Sequence, residues 1–283
     1  MPSFSPGPRL PAMSLHGSGP PRVAVIASWA VVVLAGAAAA LGLTWHGNYQ
    51  DEETFIDAGW WGNDLAALVV LVPALAVGTW SAARGSRIGV LVWLGALDAM
   101  AYNYAFYAFG AAPNRLFVVH AAILALSLAA LVAGLVTLQP SRVASIGKRA
   151  RIWIAAYMAI WALLLGALWL SQAIGFAAGG QTPDLNGSTR AFAVTATLDL
   201  AFVVPYVAVA AWLLWKNHPW GGPAAAILNV KGILYPAVLV ASSITAHRAG
   251  VPEALMLLPL WFAFLAASGL ATWALLAPQR RMP

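Results

Sequence analysis

Residues 64–83 read DLAALVVLVPALAVGTWSAA. After four residues, RGSR (84–87), residues 88–111 read IGVLVWLGALDAMAYNYAFYAFGA. Each run has the length of about 20 mostly apolar residues that a helix needs to cross about 30 Å of hydrocarbon. Water is absent there, so the backbone must satisfy its own N–H and C=O groups, and a helix does this within one segment. The short joint makes the two helices antiparallel neighbours. Working outward, comparable runs occur at 22–44, 116–138, 152–177, 191–215, 223–246 and 255–277. The sequence therefore predicts an all-α polytopic membrane bundle of eight helices. Of the whole chain, 61% is hydrophobic and 8% charged, against about 25% charged in an ordinary soluble domain. That excludes a soluble globular domain, a disordered chain and a nucleic-acid-binding module. Cysteine is absent, which removes disulfide, thiolate and zinc–thiolate chemistry.

The ends and joints follow from composition. Residues 1–21, rich in Pro, Gly and Ser, read as a disordered cytoplasmic tail. The apolar run after them exceeds the 7–15 residues of a signal-peptide core, so it is expected to be a retained helix. Two four-helix halves, 22–138 and 152–277, flank a basic linker at 139–151, and 278–283 forms a second tail. Charge sets the orientation. With both termini inside, the inner segments carry Arg9, Arg22, Arg84, Arg87, Arg142, Lys148, Arg149, Arg151, Lys216, Arg280 and Arg281. The outer segments carry only Arg115, Arg190 and Arg248, together with Asp51, Glu52, Glu53, Asp57, Asp184 and Glu253. The basic pI of about 10.0 is thus explained by a membrane, and the inner rim is expected to favour anionic lipid headgroups. Trp45, Trp60, Trp61, Trp80, Trp215 and Trp220 fall near span ends, as an interfacial belt would.

Ionisable residues at bilayer depth cost several kcal/mol and usually mark function. At 1.5 Å per residue, Asp98 lies about 16 Å and Lys231 about 14 Å from the inner edge, and Asp199 about 13 Å from the outer one. All three approach the midplane, which makes pairing of Asp98 with Lys231 geometrically possible. Tyr102 follows Asp98, and Tyr235 follows Lys231, by four residues, hence on one helix face. A phenol there is expected to donate to Asp98 or to accept from Lys231. Asn103 and Asn229 add amides on adjoining faces. Asp64 is expected either buried or at the interface. One Lys against two or three Asp makes the cluster net acidic, which suits cation or proton handling. The bland alternatives are an ion pair that only sets helix register, and a Lys231 that snorkels to the inner surface. Pro73, Pro205, Pro236 and Pro259 fall within spans and free carbonyls for other partners.

Residues 64–80 and 199–215 align without gaps at seven of seventeen positions, from Asp-Leu-Ala to a closing Trp. A two-residue adjustment then sets Asp98 opposite Lys231 and Tyr102 opposite Tyr235. An even-numbered repeat runs parallel, about an axis along the membrane normal. Similar composition of two apolar helices is the competing explanation.

The run Tyr102-Asn103-Tyr104-Ala105-Phe106-Tyr107-Ala108-Phe109-Gly110, taken with Gly62-Asn63-Asp64 and Asn114-Arg115, resembles a family of uncharacterised bacterial multi-pass membrane proteins. The resemblance covers spans 2 to 4 best. It implies a bacterial plasma (inner) membrane location and carries no activity.

No metalloprotease, P-loop, dinucleotide or nucleophile-elbow motif occurs, so no cofactor is expected. Three functions follow. The leading one is a proton-linked transporter of a small solute or cation, with Asp98, Lys231, Asp199, Asp64, Tyr102, Tyr235 and Asn103 as its binding residues. The second is a membrane enzyme or cofactor protein acting on lipid or quinone through His46, His120 and His247 at the outer face. The third is a scaffold.

Overall fold

The computed structural model describes residues 19–45, 47–143 and 146–281. Eight helices are long and apolar enough to cross a membrane: α1 Arg22–Thr44, α2 Thr54–Ala83, α3 Arg87–Gly110, α4 Phe117–Thr137, α5 Lys148–Ala177, α6 Thr189–Trp215, α7 Gly221–Arg248 and α8 Pro252–Gln279. The protein is a multi-pass helical membrane protein. Most boundaries fall within a few residues of the expected ones. The exceptions lie where a helix starts on polar residues. α2 begins at Thr54, so Asp57, Trp60 and Trp61 are helical, and α5 begins at Lys148, inside the expected linker. Most of the expected N-terminal tail, residues 1–18, lies outside the described residues.

Local chemistry sets the turns. α2 ends with Ser86 N–H bonded to the Ser81 carbonyl at 3.1 Å, and Gly85 between them takes φ +81°, a conformation that costs glycine nothing. Ser86 then caps α3 by accepting from the Gly89 amide at 3.0 Å, and Ser188 caps α6 through the Ala191 amide at 2.9 Å. Such caps contribute about 1 kcal/mol each. α2 and α6 share a further feature. Each contains one π-turn, at Ala67–Leu71 and Asp199–Val203, with a proline two residues beyond, Pro73 and Pro205. A proline lacks the N–H that would continue the ladder, and a wider turn accommodates the gap.

Two helices form the centre. α3 is 78% and α7 56% buried over their apolar windows, whereas the other six lie between 17% and 39%. α3 packs on α2, α4, α6 and α7, and α7 packs on α2, α3, α6 and α8. α1 closes against α2 and α4, and α5 lies on α6. α3, the least apolar of the eight spans, is thus the one most enclosed by its neighbours, as the cost of exposing its charged and polar groups to lipid requires. Trp80 and Trp45 do sit at helix ends, under the guanidiniums of Arg84 (3.8 Å) and Arg115 (4.8 Å). Trp60 does not: it is 5% exposed and faces the interior.

Small residues bring α7 close to its neighbours. A Cβ on Gly62 would stand 2.4 Å from Ser242 Cα, and one on Gly95 would stand 2.7 Å from the Ile227 carbonyl oxygen. Both obstacles are backbone and cannot swing aside. Gly62→Ala and Gly95→Ala should each lower stability by about 1–3 kcal/mol. Gly59→Ala, with nothing within 4 Å of its added carbon, should be neutral or stabilising by up to about 1 kcal/mol. Thermal unfolding of the detergent-solubilised protein checks all three.

Candidate functional site

The site is built on the α3–α7 contact. Lys231 on α7 extends its ammonium to Asp98 Oδ1 on α3 at 3.2 Å, with side chains 11% and 16% exposed. The expected pairing is present, and Lys231 turns inward rather than toward the basic end. The same ammonium lies 4.3 Å from the centroid of the Tyr102 ring, a cation–π contact.

Tyr102 departs from its expected role. Its hydroxyl donates to Asp199 Oδ1 on α6 and not to Asp98, one turn away on its own helix. Two side chains that share a helix face both point outward from it, so the phenol reaches a neighbouring helix more readily than its own. Asp199 Oδ2 accepts from Trp169 Nε1 on α5 at 2.8 Å. Tyr235 does not accept from Lys231 either. It packs edge-on against the Tyr102 ring at 4.6 Å and lines the cavity described below. Asn229 donates to the Ala225 carbonyl of its own helix at 2.8 Å. Asn103 is fully enclosed, and neither its amide oxygen nor its nitrogen has a partner among the described residues.

Asp64 anchors a separate network in the first half. It is 1% exposed, which decides between the two expected positions. Oδ2 accepts from Tyr49 at 2.6 Å and Oδ1 from Tyr107 of α3 at 2.7 Å. Burial, and then the Asp64 carboxylate, push the Tyr49 phenol above its ordinary value, so it remains a donor. A Cβ on Gly42 would fall 1.9 Å from Asp64 Oδ2, so only glycine leaves room for the carboxylate there. Asp64 and Asp199 are thus held alike, each by two donors, one of them a tyrosine of α3. They do not share one site.

A third network ties the acidic end together. Asp51 pairs with Arg190 at the start of α6, accepts from the Ala112 amide at 2.9 Å and from Trp60 Nε1 at 2.7 Å. Sequence reasoning counted Asp51 and Arg190 only as loop charges. It also missed Trp169 and Tyr49, although an indole N–H in the middle of a span needs a partner and was a usable signal.

A cavity of about 660 Å³ lies beside Lys231, Asp199, Tyr102 and Tyr235, bounded by α2, α3, α5, α6, α7 and α8. The volume is that of a drug-sized ligand site. Its walls are mostly apolar and aromatic, with Trp60, Trp161, Trp169, Trp261, Phe106 and Phe264 among them. At the acidic end it reaches the surface at Asp184, and the exposed Leu164, Leu168 and Leu260 open it sideways between α5 and α8. Toward the basic end it is closed. Trp161 stacks on Phe264 at 4.5 Å, and Tyr157 bonds Ser268 at 2.8 Å.

The outer-face histidines do not assemble. His120 is fully buried, its ring 4.5 Å from Tyr107 and 5.8 Å from Tyr104, whereas His247 is exposed. His46 lies outside the described residues. Among the described residues no three His, Asp or Glu are placed to hold a metal ion. Comparison with family models, with curated proteins and with solved structures finds no match to this chain, so function must be argued from the site's own chemistry.

Removing one partner of a buried ion pair strands the other. Lys231→Met should cost about 3–5 kcal/mol, and adding Asp98→Asn to it should recover most of that loss. Trp169→Phe, which removes one donor to Asp199, should cost about 1–3 kcal/mol. Unfolding midpoints of the single and double variants in one detergent test both statements.

Proposed function

We propose that the protein is a proton-linked transporter of small, largely apolar organic cations. The observation that carries this reading is the placement of the Asp98–Lys231–Tyr102–Asp199 cluster in the wall of an aromatic cavity that reaches the acidic end and the lipid. The charged side chains on the cavity wall are Asp184, Asp199 and Lys231, with Asp98 behind Lys231. Three carboxylates against one ammonium leave the site acidic. Aromatic rings attract a delocalised cation by their quadrupoles, at about 0.5–2 kcal/mol per contact. The apolar walls suit the rest of such a molecule, and the gap between α5 and α8 admits it from the bilayer.

In this mechanism Asp199 exchanges a proton for the organic cation. When the cation arrives, Asp199 is ionised and Lys231 stays with Asp98. When it leaves, Asp199 takes up a proton. The closed contacts Trp161–Phe264 and Tyr157–Ser268 belong to an outward-open state, and their separation would open the cytoplasmic side. The two four-helix halves are taken as counterparts, related by an axis between α3 and α7. The shared π-turn and proline of α2 and α6 support this, although the prolines stand nine residues after Asp64 and six after Asp199, one turn out of step with the gapless alignment. The membrane is read as the bacterial inner membrane, with the basic end cytoplasmic.

Tetraphenylphosphonium is a suitable probe. Binding should quench the fluorescence of the cavity tryptophans and release a proton to a pH dye. Asp199→Asn should abolish the proton release and weaken binding by about tenfold, equivalent to about 1.4 kcal/mol. Proteoliposomes should accumulate the cation against a pH gradient. An unchanged affinity and flux in Asp199→Asn would defeat the assignment.

A further inference from the structure

A second cavity, of about 170 Å³, lies at the basic end, remote from the cluster just described. It is enclosed by the α4–α5 joint (Pro140, Ser141, Val143, Ile146), the first turn of α5 (Arg151), the α6–α7 joint (Asn217, His218) and the start of α7 (Gly222). We propose that this cleft binds a phosphate group, presented by an anionic lipid headgroup or by a soluble phosphate.

Three observations converge on it. The first is Arg151. Lys148 and Arg149 beside it are exposed, whereas Arg151 is half-buried. Its Nε is buried without a hydrogen-bond partner, and it forms no ion pair among the described residues. A guanidinium in that state leaves a planar set of donors for an oxyanion, the geometry that phosphate matches best. The second is the set of groups around it. Ser141 offers a hydroxyl. The amide of Gly222 has no backbone partner, while Gly221 and Ala224 on either side bond His218 and Trp220. It lies in the first turn of a helix of 28 residues, Gly221–Arg248, whose dipole favours an anion at that end. No carboxylate lines the cleft. The third is the charge of the whole face. All nine Asp and Glu residues of the chain lie at the acidic end or within spans: 51, 52, 53, 57, 64, 98, 184, 199 and 253. Among the described residues the basic end therefore offers Arg151 no side-chain carboxylate. An anion from outside the chain would supply the missing counter-charge, and at a membrane surface phosphate is abundant.

The size of the cleft fits a single phosphate and falls short of the about 300–1,000 Å³ typical of drug-sized ligands. Its position gives the binding a consequence. A phosphate bridging Arg151 and the Gly222 amide would join the start of α5 to the start of α7, on the side of the second half opposite the opening between α5 and α8.

The test uses the full chain in a neutral detergent and follows the unfolding midpoint against two probes, dihexanoyl-phosphatidylglycerol and inorganic phosphate. Binding to the folded state raises the midpoint with probe concentration. Wild type and Arg149→Gln should respond alike. Arg151→Gln should need about tenfold more probe for the same shift, and Arg151→Lys should fall between. A response to the lipid alone assigns the site to a headgroup, and a response to both assigns it to phosphate from either source. Should Arg151→Gln not fold, Arg151→Lys against Arg149→Lys makes the same comparison. Equal losses in the Arg149 and Arg151 variants, or no shift with either probe, would overturn the proposal.

Discussion

A carboxylate surrounded by hydrocarbon persists only where donors meet its oxygens, and α3 supplies them. Tyr107 of α3 serves Asp64 of α2, and Tyr102 of α3 serves Asp199 of α6. Asp98 of α3 in turn holds Lys231 of α7. Three neighbours are thereby fastened to one helix by polar contacts that water cannot replace. Apolar surface alone would hold them weakly, because lipid tails are as apolar as leucine and give helices little reason to associate. Close approach by glycine, at Gly62 and Gly95 against α7, adds the packing that the polar contacts then specify.

The two halves differ in how tightly they close. In the first, α1 lies against α2 and α4, and Tyr49 from the α1–α2 joint fills the space over Asp64. In the second, α5 and α8 meet only toward the basic end and diverge above the Trp161–Phe264 stack. The result is an enclosed carboxylate on one side and a carboxylate beside a cavity on the other. Asp64 accordingly reads as a fixed part of the framework. Asp199 reads as the group with room to exchange its partners.

Much of this was legible in the residues and some was not. Counting residues from the span edges brought Asp98, Lys231 and Asp199 to about one depth, which made an Asp98–Lys231 pair possible but did not choose it over Asp199. The same count could not tell which carboxylate Tyr102 would serve. Spacing of four residues suggested Asp98, yet the nearer acceptor came from another helix. Nor did it reveal that Trp60 turns inward to Asp51, since a tryptophan near a span end is ordinarily an interfacial anchor. Where a partner lies along the same helix, spacing informs. Where it lies across a helix contact, the azimuth of each helix decides, and a hydropathy pattern in a helix surrounded by apolar groups carries almost no azimuth.

The sequence by itself determined that the chain crosses a membrane eight times and where each crossing begins, to within a few residues in most cases. It also determined which end is basic and which few charges are carried into the apolar layer. Those properties depend on transfer energies, which sum along the chain without reference to neighbours. Which charges meet, that α3 and α7 form the centre, and that a cavity opens between α5 and α8 were decided only by the tertiary structure. They depend on helix rotation and close approach, set at each contact by a few hydrogen bonds and by whether a Cβ is present.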